Sequence, residues 1–163
     1  MRALPLILAV LTAAPVHAGD PSGVDPAAIG QCLAAAQTDG ARQDCAGHQT
    51  AACVAFAERR YPDLHPVDRQ LACIDAERQA WDARLTESYD RLKGIETGRS
   101  PDRAEALVKM ERAWIAFRDA RCAYDMLTNG GGTGGALAGP QCLLAETARQ
   151  VVLLEAYLRD RGA

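Results

Sequence analysis

The chain has 163 residues, 48% of them hydrophobic and 24% charged, with two Trp, four Tyr and two Phe. That is enough apolar material for one self-supporting core and too much for a disordered tail. A formal charge of -3 excludes the concentrated basic surface that displaces phosphate counterions, so no nucleic-acid partner is expected.

The chain opens with Met1 and Arg2, a mostly apolar run from Ala3 to Ala14, and Val16-His17-Ala18, a small-x-small cleavage site. This pattern predicts a secretory signal peptide over residues 1–18, cleaved after Ala18. The apolar run is shorter than the roughly 20 residues that span a bilayer, so a periplasmic or secreted protein is expected rather than a membrane-spanning one. No Cys follows the cleavage site to carry a lipid. Loss of Arg2 takes the formal charge from -3 to -4, which favours a basic partner.

Six cysteines lie beyond the signal: Cys32, Cys45, Cys53, Cys73, Cys122 and Cys142. In an oxidising compartment an even count reads as three disulfides, with 15 pairings open in principle. Sequential pairing, Cys32–Cys45, Cys53–Cys73 and Cys122–Cys142, is the economical choice, with the pairing of the first four cysteines left open by the sequence. Zinc is the rival reading for Cys45, His48 and Cys53, but their spacing matches no paired-knuckle pattern, and there is no Cys-x-x-Cys for redox work.

Asp25-Pro26 offers an N-cap followed by proline at the first helical position, opening a helix to about Gln37 that Thr38-Asp39-Gly40 ends. Residues 42–60 suggest a second helix, stopped at Tyr61-Pro62 because the residue before proline avoids helical dihedrals. From Val67, the residues Leu71, Ile74, Trp81, Leu85, Tyr89, Leu92 and Ile95 recur at three- and four-residue steps and predict one long helix to Thr97-Gly98. Ser100-Pro101-Asp102 restarts the chain, and Leu107, Met110, Trp114, Phe117 and Tyr124 form the stripe of a second long helix to about Thr128. Together these two predict an antiparallel hairpin. Residues 129–139 carry six glycines in eleven positions and read as a flexible loop, after which Pro140 opens a last helix with Leu144, Ala148, Val151, Leu154 and Leu158 inward and Cys142 in its first turn. No strand alternation appears, so the fold class is an all-α, disulfide-stapled helical bundle.

The residues offer little for catalysis. His48 and His65 sit near helix ends, no nucleophile elbow, metalloprotease or phosphate-loop motif occurs, and Asp75, Glu77, Asp82, Glu87 and Asp90 read as a solvated face. Neither an enzyme nor a cofactor site is expected. More pointed is Trp114-x-x-x-Arg118, whose four-residue spacing lets a guanidinium lie over an indole, with Asp119 placed to bridge to a neighbouring helix. Trp81, Leu85 and Tyr89 read as core.

The order Cys73, Trp81-Asp82-x-x-Leu85-x-x-x-Tyr89, Trp114-Ile115-x-x-Arg118-Asp119-x-x-Cys122, glycine run, Cys142-Leu143, Thr147 and Arg149 resembles the lysozyme-inhibitor LprI-like family of exported bacterial proteins. The resemblance covers about residues 70–158. It departs from the family at Thr86, where Asn is common after the leucine, and at Glu111, where Gln is often found. The chain is thus divided into a signal (1–18), a Cys-containing helical extension (19–65) and an LprI-like helical domain (66–163). What the resemblance implies is a binding protein that inhibits lysozyme-type muramidases by occluding their cleft. The alternative is an envelope-interaction protein without lysozyme affinity. Expected partners are therefore a cationic lysozyme or another envelope protein. The candidate contact residues are Trp114, Arg118, Asp119 and the glycines Gly130, Gly131 and Gly132.

Overall fold

The computed structural model describes residues 22–163, so the predicted signal segment lies outside the described residues. Six helices follow in order: α1 (Pro26–Ala35), α2 (Asp39–Gln43), α3 (His48–Arg60), α4 (Pro66–Arg99), α5 (Pro101–Thr128) and α6 (Thr133–Asp160). There is no strand among the described residues. The fold is the all-α, disulfide-stapled bundle the sequence predicts, with α6 packed against both α4 and α5.

Local chemistry explains most boundaries. Asp25 and Ser100 cap α1 and α5, their side chains accepting from the Ala27 and Arg103 amides, each with proline at the start of the helix. The helix predicted over residues 42–60 is divided, because Gly47 adopts φ +92° and starts a new element at His48. Thr38-Asp39-Gly40 also does more than end α1: the Thr38 side chain accepts from the Ala41 amide and caps the short helix α2.

One core is shared along the bundle. Ile29 and Leu33 of α1 and Cys45 meet Ile74 and Trp81 of α4 and Leu144, Ala148, Val151 and Val152 of α6. At the other end Leu92 and Leu107 close on Leu154 and Leu158. All five residues of the predicted α6 stripe are buried, and each large aliphatic among them stabilises the fold by roughly 2 kcal/mol. Cys32–Cys45, Cys53–Cys73 and Cys122–Cys142 are disulfides with Cα–Cα separations of 6.0, 5.6 and 5.3 Å. Cys45 and Cys53 are thereby committed to different bridges, which removes the zinc reading. By the chain-entropy model each 20-residue closure contributes about 3 kcal/mol.

Three expectations are corrected by tertiary packing. First, Glu77 does not belong to a solvated face, since it is 0% exposed. Its carboxylate accepts from the Gly47 amide at 2.8 Å, from the Thr50 amide and hydroxyl, and from Trp81 Nε1 at 3.2 Å. Gly47 has no side chain to cap α3, so a carboxylate from α4 caps that helix from across the interface.

Second, the glycine run is mostly helix: α6 begins at Thr133, so Pro140 lies inside it and Cys142 sits well beyond its first turn. The connecting turn spans only residues 129–132. A Cβ on Gly135 would lie 1.7 Å from the Gly130 carbonyl oxygen, and one on Gly139 would lie 3.4 Å from Met126 Cβ. Glycine is required at position 135 because the turn folds back onto the new helix. Backbone entropy argued against this helix, but close packing with α5 outweighs it.

Third, the α5 stripe divides between two faces. Leu107 is buried and Met110 and Trp114 half-buried, whereas Phe117 and Tyr124 are 57% and 66% exposed. A strict seven-residue spacing slips by about 20° per heptad on a straight helix, which carries positions 117 and 124 out of the interface.

Replacing Glu77 with Ala strands Trp81 Nε1, the Thr50 hydroxyl and two amides at the start of α3. The expected cost is about 3 kcal/mol or more in a urea melt, with a helical circular dichroism signal retained below the transition.

Candidate protein-binding surface

Only Leu107, Glu111 and Cys122 of α5 are buried, so most of this helix faces outward. Its outer face reads Ala113, Ala116, Phe117, Ala120, Ala123, Tyr124 and Leu127, at three- and four-residue steps, and every one is exposed. Leu127 is the most exposed large hydrophobic among the described residues, at 76%. A helix lying on a core ordinarily turns polar residues outward, and single exposed apolar residues need no explanation. A continuous apolar stripe along four turns does, and such patches mark interaction sites.

The predicted contact residues flank this stripe. Arg118 lies over the Trp114 ring, its Cζ 5.0 Å from the centroid, and the Arg118 guanidinium also pairs with Asp119 at 2.8 Å. Asp119 therefore bridges within its own helix, not to a neighbouring one as expected, since its adjacent residue reaches it first. Gly130, Gly131 and Gly132 form the exposed turn beyond Leu127, with φ of +70° at Gly130 and +86° at Gly132. Trp114 and Arg118 lie on the half-buried side of α5, the glycines at its end, and the apolar stripe between them along the outer side.

On its other flank α5 forms with α4 a groove of about 370 Å³, lined by Leu85, Thr86, Tyr89, Lys93, Glu111, Arg112, Trp114 and Ile115. Thr86 and Glu111, the two departures from the resembled motif, thus face one groove. Glu111 is 9% exposed and accepts from Gln150 Nε2 at 2.7 Å. Burial pushes its carboxyl above the ordinary range, and the Gln150 hydrogen bond opposes that shift only in part.

The sequence spacing places Phe117 and Tyr124 in the core stripe and leaves the four alanines without a role. The signal was nevertheless present: residues 113, 116, 120, 123 and 127 keep the helical period on the side opposite Leu107 and Glu111. His48 and His65 both lie outside α5: His48 opens α3, and the His65 Nδ1 accepts from the Val67 amide at 3.3 Å to cap α4. Among the described residues no group of three His, Cys, Asp or Glu side chains is arranged to hold a metal ion.

Because the folded carboxyl of Glu111 binds its proton more tightly than the unfolded one, its ionisation opposes folding. That penalty is absent below the unfolded value and grows as pH rises through the folded one. Glu111→Gln keeps the shape and a partner for Gln150. It is expected to raise the melting temperature at pH 7 and to lose that advantage near pH 4, as read by thermal melts across the range.

No curated protein and no solved structure matches this chain. The family model described as lysozyme inhibitor LprI matches residues 65–154, which takes in α4, α5 and most of α6 and exceeds half of the sequence. The helices that form the groove and the exposed stripe are those of the matched span, and the chain belongs to the lysozyme inhibitor LprI family.

Proposed function

We propose that the protein is an exported inhibitor of lysozyme-type muramidases, acting without catalysis or cofactor by laying the outer face of α5 and the adjoining glycine turn across the enzyme's cleft. The observation that carries this reading is the unbroken exposed stripe from Ala113 to Leu127 in a chain of a lysozyme-inhibitor family. Alanines let two surfaces approach closely, while Phe117 and Tyr124 supply the aromatic anchors that dominate interface energetics. A formal charge of -3 complements a cationic enzyme and speeds encounter. Three disulfides fit an oxidising compartment, the periplasm or the exterior. No helix among the described residues is long and apolar enough to cross a membrane.

The test is a titration of the oxidised protein against a panel of lysozymes, reading lytic rate and binding heat. Phe117→Asp and Tyr124→Asp should each weaken inhibition by about 10-fold or more, the loss of one interface anchor, with helical circular dichroism unchanged. Gly131→Glu adds bulk where no atom lies within 4 Å and φ is not positive, so it probes the turn without straining it. Inhibition that withstands all three substitutions removes α5 as the contact. Undiminished lysis by every lysozyme in the panel overturns the activity itself and assigns the stripe to another envelope protein.

A further inference from the structure

A second concavity, sharing no residue with the α5 surface, opens where α1, α2, α4 and α6 meet. It measures about 320 Å³ and gathers four guanidiniums, Arg42, Arg84, Arg91 and Arg159, from three helices of a chain whose net charge is negative. Leu33 and Gly30 of α1 contribute to its lining, and Arg84 Nη1 lies 3.6 Å from where a Cβ on Gly30 would stand. An ordinary methyl contact is all the room left there, so α1 comes close to the guanidinium.

Ion pairing within the fold accounts for only part of this cluster. Arg42 and Arg159 share one oxygen of Asp39, at 2.9 and 2.7 Å, and Arg84 uses its Nε on Glu155. Each of these engages one of the five N–H donors a guanidinium carries. Arg91 has no ion pair or hydrogen bond among the described residues. Ser88 is 5% exposed, lines the same cleft, and its hydroxyl has no hydrogen-bond partner among the described residues. That hydroxyl is open to the cleft, where it is free to donate to a bound acceptor.

We propose that this cleft binds a phosphoryl oxyanion, carried by a small hydroxylated phosphomonoester or by a phospholipid headgroup of the same chemistry. A carboxylate is satisfied by one guanidinium fork, whereas a tetrahedral dianion has acceptors enough for several forks and for the Ser88 hydroxyl. Glu87 also lines the cleft and disfavours a polyanion while accepting from a ligand hydroxyl, which sets the glycerol-phosphate type apart from bare phosphate.

The experiment titrates the oxidised full chain with glycerol 3-phosphate and with inorganic phosphate by calorimetry, and in parallel with vesicles of phosphatidylglycerol or phosphatidylcholine. Arg91→Gln and Ser88→Ala remove groups that hold nothing else in the fold, so the unliganded melting temperature should not move. Each is expected to weaken glycerol 3-phosphate binding by about 10-fold, the loss of one hydrogen bond to a charged ligand. Retention on phosphatidylglycerol vesicles that glycerol 3-phosphate displaces and Arg91→Gln abolishes supports the proposal with a lipid source. Binding of the soluble compound without vesicle retention supports it with a soluble one. No binding to either phosphate compound at about 10 mM and none to the vesicles overturns it, as does binding that both variants leave unchanged.

Discussion

One buried carboxylate joins α4 to the start of α3. Glu77 projects from α4 into the start of α3, where Gly47 offers no cap of its own, and it satisfies two amides, a hydroxyl and the indole N–H of Trp81. A polar group withdrawn from water is tolerated only when its lone pairs are filled, and here four donors converge on two oxygens. The Cys53–Cys73 disulfide spans the same two helices one turn earlier along α4. Covalent bridge and carboxylate together fix where α3 lies, and α3 with α1 covers one end of the core.

The same device recurs down the bundle. Glu96, 3% exposed near the end of α4, binds Arg103 of α5 and Arg161 beyond α6. The hydrogen bonds from Arg103 first and Arg161 next hold its carboxyl down to about 2, so its contribution is present above the ordinary carboxylate value and is lost as pH falls toward 2. Glu146 takes Arg121 of α5 and Arg149 of its own helix beside the Cys122–Cys142 bridge, and Glu111 meets Gln150 between α5 and α6. Apolar stripes would allow neighbouring helices to slide by a turn. Carboxylates that must each meet a named donor do not, which is the best-supported use of buried polar groups.

The sequence disclosed helix positions well because their signals are local. Asp25-Pro26, Ser100-Pro101 and the α6 stripe act within a few residues of themselves, and the structure uses all of them as read. What it disclosed poorly depends on contacts distant in the chain. Glu77 stands three residues after Ile74 and four before Trp81, squarely on the apolar stripe, yet three of its four donors, on Gly47 and Thr50, lie 30 and 27 residues upstream and nothing local announces them. Gly135 reads as a helix breaker until the carbonyl of Gly130 is seen against it. The outer face of α5 is obscured for a different reason: a seven-residue period drifts on a 3.6-residue helix, so residues spaced by heptads rotate away from the core.

The span that carries the family character, residues 65–154, does not carry the whole core. Ile29, Leu33 and Cys45 cover Trp81 and Ile74 from before it, and Leu158 closes on Leu92 and Leu107 from after it. A chain trimmed to the matched residues exposes the indole of Trp81, strips Glu77 of its helix-capping partners and leaves Cys73 with an unpaired thiol. The first three helices are therefore not freely exchangeable, and any shuffling of this family module between proteins must bring a substitute cover with it.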